Sequence, residues 1–266
     1  MLGGLLAITS CKGVSNGNRS ITEEDVSGDF HTISAVSSVD VEYYQCSGES
    51  RVEIEAPEHI KAKVKVERKG DKLVVGFKGR AGGRNEYCIV KVYAPSVTTL
   101  EASASGDIVV PDGLDASGKV TVVCTASGDI HVAKLACGDL SLDVNGSGDI
   151  EIRRLECDAL AGTVNASGDI LLESVSCVSA ELSSNGSGDI DIEGRGKTAV
   201  MACHASGDIE AEKFLLADVK AFNNGSGELK CQVDGRLVAE NRGSGSIKYK
   251  GNPSDVQVKG RDVEHN

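Results

Sequence analysis

Seven acidic side chains recur at near-constant spacing: Asp107, Asp129, Asp149, Asp169, Asp189, Asp208 and Glu228. Six of them follow Ser-Gly and precede Ile; the seventh, Glu228, precedes Leu. Carboxylates in such a file can do one of two things. They can hold a hard divalent cation such as Ca²⁺ between successive repeats, since oxygen-rich sites suit it. Alternatively, each Asp can cap its own turn by accepting backbone N–H groups. If the repeats stack, neighbouring carboxylates about 5 Å apart repel by ~0.8 kcal/mol in water, so one of these arrangements must offset that. Calcium-binding solenoids use a shorter Gly-Gly-x-Gly-x-Asp repeat, which favours capping and no cofactor.

The remaining reactive residues are more scattered. Cys137, Cys157 and Cys177 fall at one repeat position and share the parity of the apolar Leu135, Leu155 and Val175. Three equivalent thiols cannot all pair and no Cys-x-x-Cys occurs, so these read as small buried hydrophobes. Cys124 and Cys203 share a second such column with Val144 and Val164. If a disulfide forms, Cys46 and Cys88 are the pair to which the sequence points. The five histidines (His31, His59, His131, His204 and His265) never cluster at metal-ligand spacing. Arg153-Arg154 beside acids matches the base of a polysaccharide-cleaving solenoid, but aromatics are only 3% of the chain and sugar platforms are missing. No Ser/His/Asp arrangement or phosphate loop stands apart from the repeat, so no catalytic residue is assigned.

The elements that position these groups follow from the repeat. Ser-Gly-Asp-Ile begins at Ser105, Ser127, Ser147, Ser167, Ser187 and Ser206, with degenerate copies at Ser226 and Ser244, giving spacings of 22, 20, 20, 20, 19, 20 and 18. A period near 20 means stacked supersecondary units. Inside each unit apolar residues alternate, as in Ile130/Val132, Ile150/Ile152, Ile170/Leu172 and Ile190/Ile192, which is strand periodicity; no helical period competes. Each unit is therefore one coil of a parallel β-solenoid, pairing with its neighbour ~4.8 Å away. The tetrad glycine marks a corner and is expected to have positive φ. Asn145, Asn165, Asn185 and Asn224, two residues before each Ser, are expected to stack as an amide ladder, with His204 taking one rung.

Four segments emerge. Residues 1–19 comprise an apolar run ending Ile8-Thr9-Ser10-Cys11 and a Gly/Ser/Asn tether. They resemble a bacterial lipoprotein signal with Cys11 as the lipidated residue, although no basic residue precedes the run. Residues 20–100 are strand-rich but irregular and are expected to close one end of the stack, because exposed solenoid ends are unpaired edges. Residues 101–250 carry the coils, and 251–266 form a C-terminal tail or cap. The least regular places are residues 111–119 and 194–197. The formal net charge is −12, which repels phosphate backbones and excludes nucleic acid as a partner.

Val39-Asp40-Val41-Glu42-Tyr43, Val52-Glu53-Ile54-Glu55-Ala56-Pro57 and Leu73-Val74-Val75, followed by the tetrad array, are similar to the bacterial head GIN domain family over approximately residues 20–250. That resemblance implies an all-β repeat fold and an adhesin-like role, and it names no catalytic residues. The expectation is a non-enzymatic cell-envelope protein, an outer-membrane lipoprotein anchored through Cys11, that binds a glycan or protein ligand. The competing readings are a polysaccharide-active enzyme and a purely structural envelope protein.

Overall fold

The computed structural model describes residues 20–24, 26, 28–79 and 87–266; Cys11 and the lipoprotein-like segment lie outside them. Alternating apolar residues become short strands arranged around three faces of a coil. Strands Thr99–Ala102, Val120–Cys124 and Asp139–Val144 stack in parallel on a first face. Ile108–Val110, Ile130–Val132 and Ile150–Ile152 stack on a second, and Leu114–Asp115 pairs with Leu135–Ala136 on a third. From Leu155 onward the strands bend through the corner between the third and first faces, so Leu155–Val164 covers two faces in one strand. Among the described residues the only helix is one turn, Glu58–Lys61. The chain is a parallel β-solenoid.

Register turns alternation into files. Val122, Leu142, Leu182, Met201 and Ala239 lie in one inward file, and the Ile of every tetrad lies in another. Nearly all are fully buried. These slim aliphatic side chains repeat at the inter-strand spacing without the bulk that a ring would bring to every layer. Where one coil is a residue short, at Gly194-Arg195-Gly196, Gly194 lies against the Val175 main chain and Gly196 leaves the interior underfilled. Buried Phe214 from the next coil takes the space, its Cζ lying 2.9 Å from where a Cβ on Gly196 would be.

The coils begin upstream of the tetrad array. Thr32–Ala35 lies between Lys72–Phe77 and Thr99–Ala102, parallel to both, and Asp40–Gln45 lies parallel to Ile89–Ala94 and to the strand at Ile108. Strands Lys72–Phe77 and Ile89–Ala94 thus form a layer outside residues 32–45, although they follow them in sequence. Beyond that layer the direction reverses. Arg51–Ala56 is antiparallel to Ile89–Ala94, Val64–Lys69 is antiparallel to Lys72–Phe77, and Ser20–Glu24 is antiparallel to Arg51–Ala56. Buried Ile60, from the helical turn linking two of these strands, helps to cover this end. The third face starts later. There the Gln45 amide acts as a surrogate peptide: its Nε2 donates to Asp115 O at 2.7 Å and its Oε1 accepts from Asp115 N at 2.8 Å. Residues 251–266 are expected to form a C-terminal tail or cap. Asp255–Gly260 and Val263–His265 pair in register as one more coil.

The tetrad glycines are required, but not for the expected reason. No glycine of the array tetrads has positive φ. Instead, a Cβ on Gly148 would lie 2.1 Å from the carbonyl oxygen of Gly128, and Gly128, Gly168 and Gly188 meet the preceding coil in the same way. Backbone crosses over backbone at this corner, leaving room for hydrogen only. Gly148→Ala is expected to destabilise the protein by about 3 kcal/mol or more, since neither main chain can yield without the coils moving apart. Gly118→Ala, where nothing lies within 4 Å, is expected to be nearly neutral. Urea denaturation of the two variants checks the contrast.

Candidate functional site

The Asp corner is a hydrogen-bonded file between coils. Asp149 N donates to Asp129 Oδ1 at 2.8 Å, Asp169 N to Asp149 Oδ1 at 2.8 Å, and Asp189 N to Asp169 Oδ1 at 2.7 Å. Asp107, Asp129, Asp189 and Asp208 take part in the same pattern. The physical reason lies next door. Each glycine carbonyl is turned beneath the next glycine Cα, so the amide that follows bonds a side chain instead. The caps thus act between coils rather than within one turn. Asp40 begins the file by accepting Asp107 N at 3.1 Å. Sequence reading missed it because Val39 stands where later coils have Gly; the Asp-Val pair at 40–41 was the available signal.

Glu228 behaves differently. Its amide donates to Asp208, but its carboxylate takes Lys230 at 2.8 Å, Lys248, and the Ser246 hydroxyl at 2.8 Å. Those hydrogen bonds, from Lys230 first, pull its pKa down to about 2. Among the described residues, no three His, Cys, Asp or Glu side chains converge as a metal site. A cation between coils would have to use the carboxylate oxygens that the amides leave over.

The amide ladder stands beside this file. Asn165 Nδ2 donates to Asn145 Oδ1 at 2.8 Å and Asn185 Nδ2 to Asn165 Oδ1 at 2.9 Å. His204 Nδ1 lies 3.4 Å from Asn224 Nδ2, a separate pair in the same column. A second, buried polar file went unrecognised. The inward column of Cys124, Val144 and Val164 continues as Ser184, Cys203, Asn223 and Asn241. Asn223 Nδ2 donates to Gly227 O at 2.7 Å while its Oδ1 accepts Gly225 N at 3.0 Å, so the side chain staples its own corner from inside. Ser184 Oγ does the same for Gly188 O at 2.9 Å. Asn223 is indistinguishable by type from exposed Asn224; only strand parity separates them.

The eight described cysteines are all free, so Cys46 and Cys88 carry separate thiols. Burial pushes Cys124, Cys203 and Cys231 up to about 12, making them inert core residues. Cys157 is buried, while Cys137 and Cys177 are half-buried along a corner cleft of about 460 Å³. The Cys157 and Cys177 thiols share a hydrogen bond, which with burial raises the Cys157 pKa. Arg153 and Arg154 are both exposed, and Arg153 pairs with Glu151 at 3.3 Å.

On the outer side of the first face two shallow grooves join end to end. The first, about 330 Å³, is lined by Lys119, Ser141, Ala159, Ala161, Ser179 and Glu181 among others. The second, about 370 Å³, is lined by Val200, Lys220, Arg236 and Val238 among others, and Thr198 and Val200 belong to both. Register explains the shape. Ser141, Ala161, Glu181, Val200, Lys220 and Val238 form one outward file along the axis, and small Ala and Ser side chains leave its floor low.

The family model described as "Putative auto-transporter adhesin, head GIN domain" matches residues 29–154 and again 141–253. The chain belongs to this family. A comparison with curated proteins finds no match. Among solved structures, a putative adhesin from Parabacteroides merdae is similar at TM-score 0.70 and 23% identity, covering 96% of this chain and 100% of that one. A putative adhesin from Parabacteroides distasonis is similar at 0.70 and 23%, covering 94% and 97%. A putative lipid binding protein from the same species is similar at 0.65 and 22%, covering 94% and 98%. The two family matches divide the head GIN domain region at residues 141–154, inside the continuous stack, so coils pass through the boundary without a break.

Electrostatics of the Asp file give a testable sign. Burial raises the Asp169 pKa, the Asp189 amide lowers it, and the Asp149 and Asp189 carboxylates raise it further; the net direction is up. The folded state therefore holds this proton more tightly than the unfolded chain does. That contribution is full below the ordinary carboxylate range and is lost as pH rises through the raised value. Asp169→Asn keeps an oxygen for the Asp189 amide and removes the charge. It is expected to be at least as stable as the parent at pH 7, with any advantage fading on acidification. Asp169→Ala leaves the amide unserved and is expected to cost about 1 kcal/mol. Melting curves of the three proteins across that range decide it; an Asn variant as weak as the Ala variant would refute the assignment.

Proposed function

We propose that this protein is a non-catalytic binding module of the cell envelope, tethered to the outer membrane through Cys11, which takes an extended ligand along the groove of its first face. The carrying observation is that groove: it runs across many coils in one direction, with small side chains on its floor and charges of both signs on its rim. A long shallow channel with evenly spaced but chemically varied steps suits a linear polymer, a glycan chain or an extended peptide, better than a compact metabolite. Family membership supports an adhesin-like role, and one similar solved structure, described as a putative lipid binding protein, adds lipid to the ligand classes to screen.

A glycan array with a lipid overlay and a peptide screen identifies the ligand class. Ala161→Arg, which fills the groove floor, is expected to weaken binding about tenfold or more, ~1.4 kcal/mol, with an unchanged far-UV spectrum. Leu171→Arg on the second face is expected to leave binding intact. Equal binding by the filled-groove variant would remove the first face from consideration, and no ligand in any class would leave the structural reading. The Ser10-Cys11 junction and the polar segment after it support the tether. In cells, Cys11→Ser is expected to move the protein out of the membrane fraction; retention there would refute the anchor.

A further inference from the structure

The two ends of the stack are treated differently. One is closed by antiparallel strands and the helical turn, whereas the last coil ends on an open edge. Among the described residues, strand Asp255–Gly260 pairs only with Arg236–Asn241, and all six of its residues are exposed. Its inward side chains show what is missing. Val256 and Val258 are 41% and 50% exposed, while Leu237 and Ala239 directly below them are 0% and 1%. An unpaired strand edge above an open apolar core is a site for adding another strand.

The sequence of that strand specifies the partner. Asp255-Val256-Gln257-Val258-Lys259 is self-complementary when two copies run antiparallel about Gln257. Asp255 then faces Lys259 of the second copy, Val256 faces its Val258, and Gln257 faces its own equivalent. Charges already in place extend the match. Arg236 pairs with Asp255 at 3.2 Å and Lys259 pairs with Glu240 at 2.7 Å. Across the junction the outward file would run Arg236, Asp255, then Lys259 and Glu240 of the second copy, alternating in sign at every step. We propose that the last coil docks tail to tail on a second copy of this chain through strand Asp255–Gly260, in a two-fold arrangement that buries Val256 and Val258. Such a dimer puts the two N-terminal ends at opposite ends of a double-length rod. Resting on the tether proposed above, it would join two facing membranes.

The test uses the full chain. At tens of micromolar the parent protein is expected to sediment at twice the chain mass, and Val256→Asp/Val258→Asp at the chain mass with its β-sheet spectrum retained. Gln257→Cys, with oxidised glutathione as oxidant, is expected to give a disulfide-linked dimer well above the parent and Leu171→Cys backgrounds, because the residue sits on the two-fold axis. A monomeric parent, a larger open-ended polymer, or crosslinking no better than background would each overturn the proposal. Beads carrying the chain by its N-terminus are expected to clump, and the Asp variant not to. Dimers in solution without clumping would sink the membrane-bridging role and leave the interface standing.

Discussion

Everything in this molecule depends on how closely the backbone of one coil can approach the next at the Asp corner. A Cβ on Gly148 would come within 2.1 Å of Gly128 O, and one on Gly188 within 2.1 Å of Gly168 O. The contact repeats at almost every layer, so one side-chain atom at this position would force adjacent coils apart and break the hydrogen bonds flanking it. The polar files are consequences. Once the glycine carbonyl is turned beneath the next Cα, the following amide needs another acceptor, and the preceding Asp supplies one at 2.7–2.8 Å in the central coils. Like charges in a row are tolerated because each is tied to a backbone donor, which favours the ionised form against the repulsion of its neighbours.

Inside the corner some coils add a side-chain bond to a shared backbone pattern. Backbone groups bond from coil to coil whether the inward residue is Val144 or Ser184, as in Ser147 N to Ala126 O and Ser187 N to Ala166 O. At Ser184, Asn223 and Asn241 a buried polar side chain bonds the corner carbonyl four residues on. A buried amide without partners would cost several kcal/mol, so these positions survive only because both ends of each Asn are satisfied. Asn241 Nδ2 also reaches Arg261 O at 2.8 Å, linking the penultimate corner to the last coil.

Much of this was legible in the sequence, for a physical reason. In a stack, each position meets its own copy, so chemical identity along the chain becomes contact in space. The eight tetrads, the alternation after them and the Asn column therefore read directly as faces, files and a ladder. Legibility failed where that identity rule fails. Asp40 serves the file with Val39, not glycine, before it. The order of layers at the closed end cannot be read from chain order, since strands Lys72–Phe77 and Ile89–Ala94 return outside residues 32–45. Positive φ was the wrong inference from a right observation: glycine can be demanded by a neighbour as well as by its own torsion. The groove was invisible because it is made of what is absent, small side chains such as Ala159 and Ala161 whose exposure depends on parity at a strand bent through a corner.

A repeat that stacks on itself has no internal reason to stop, and its two ends answer that problem in different ways. At the closed end the chain reverses direction, so the outer strands no longer offer the parallel edge that a further coil would match. On the third face a single Gln45 side chain does the same work by presenting one donor and one acceptor where a strand would be. At the other end the charged positions Asp255 and Lys259 point outward and the inward positions remain Val, so nothing buried repels a further layer. A parallel copy placed there in the same register would set Asp over Asp and Lys over Lys. An antiparallel copy sets Asp over Lys. The charges that discourage indefinite parallel growth are therefore the same ones that make a single two-fold closure favourable, and a stack terminated by a reversed copy of itself needs no separate cap.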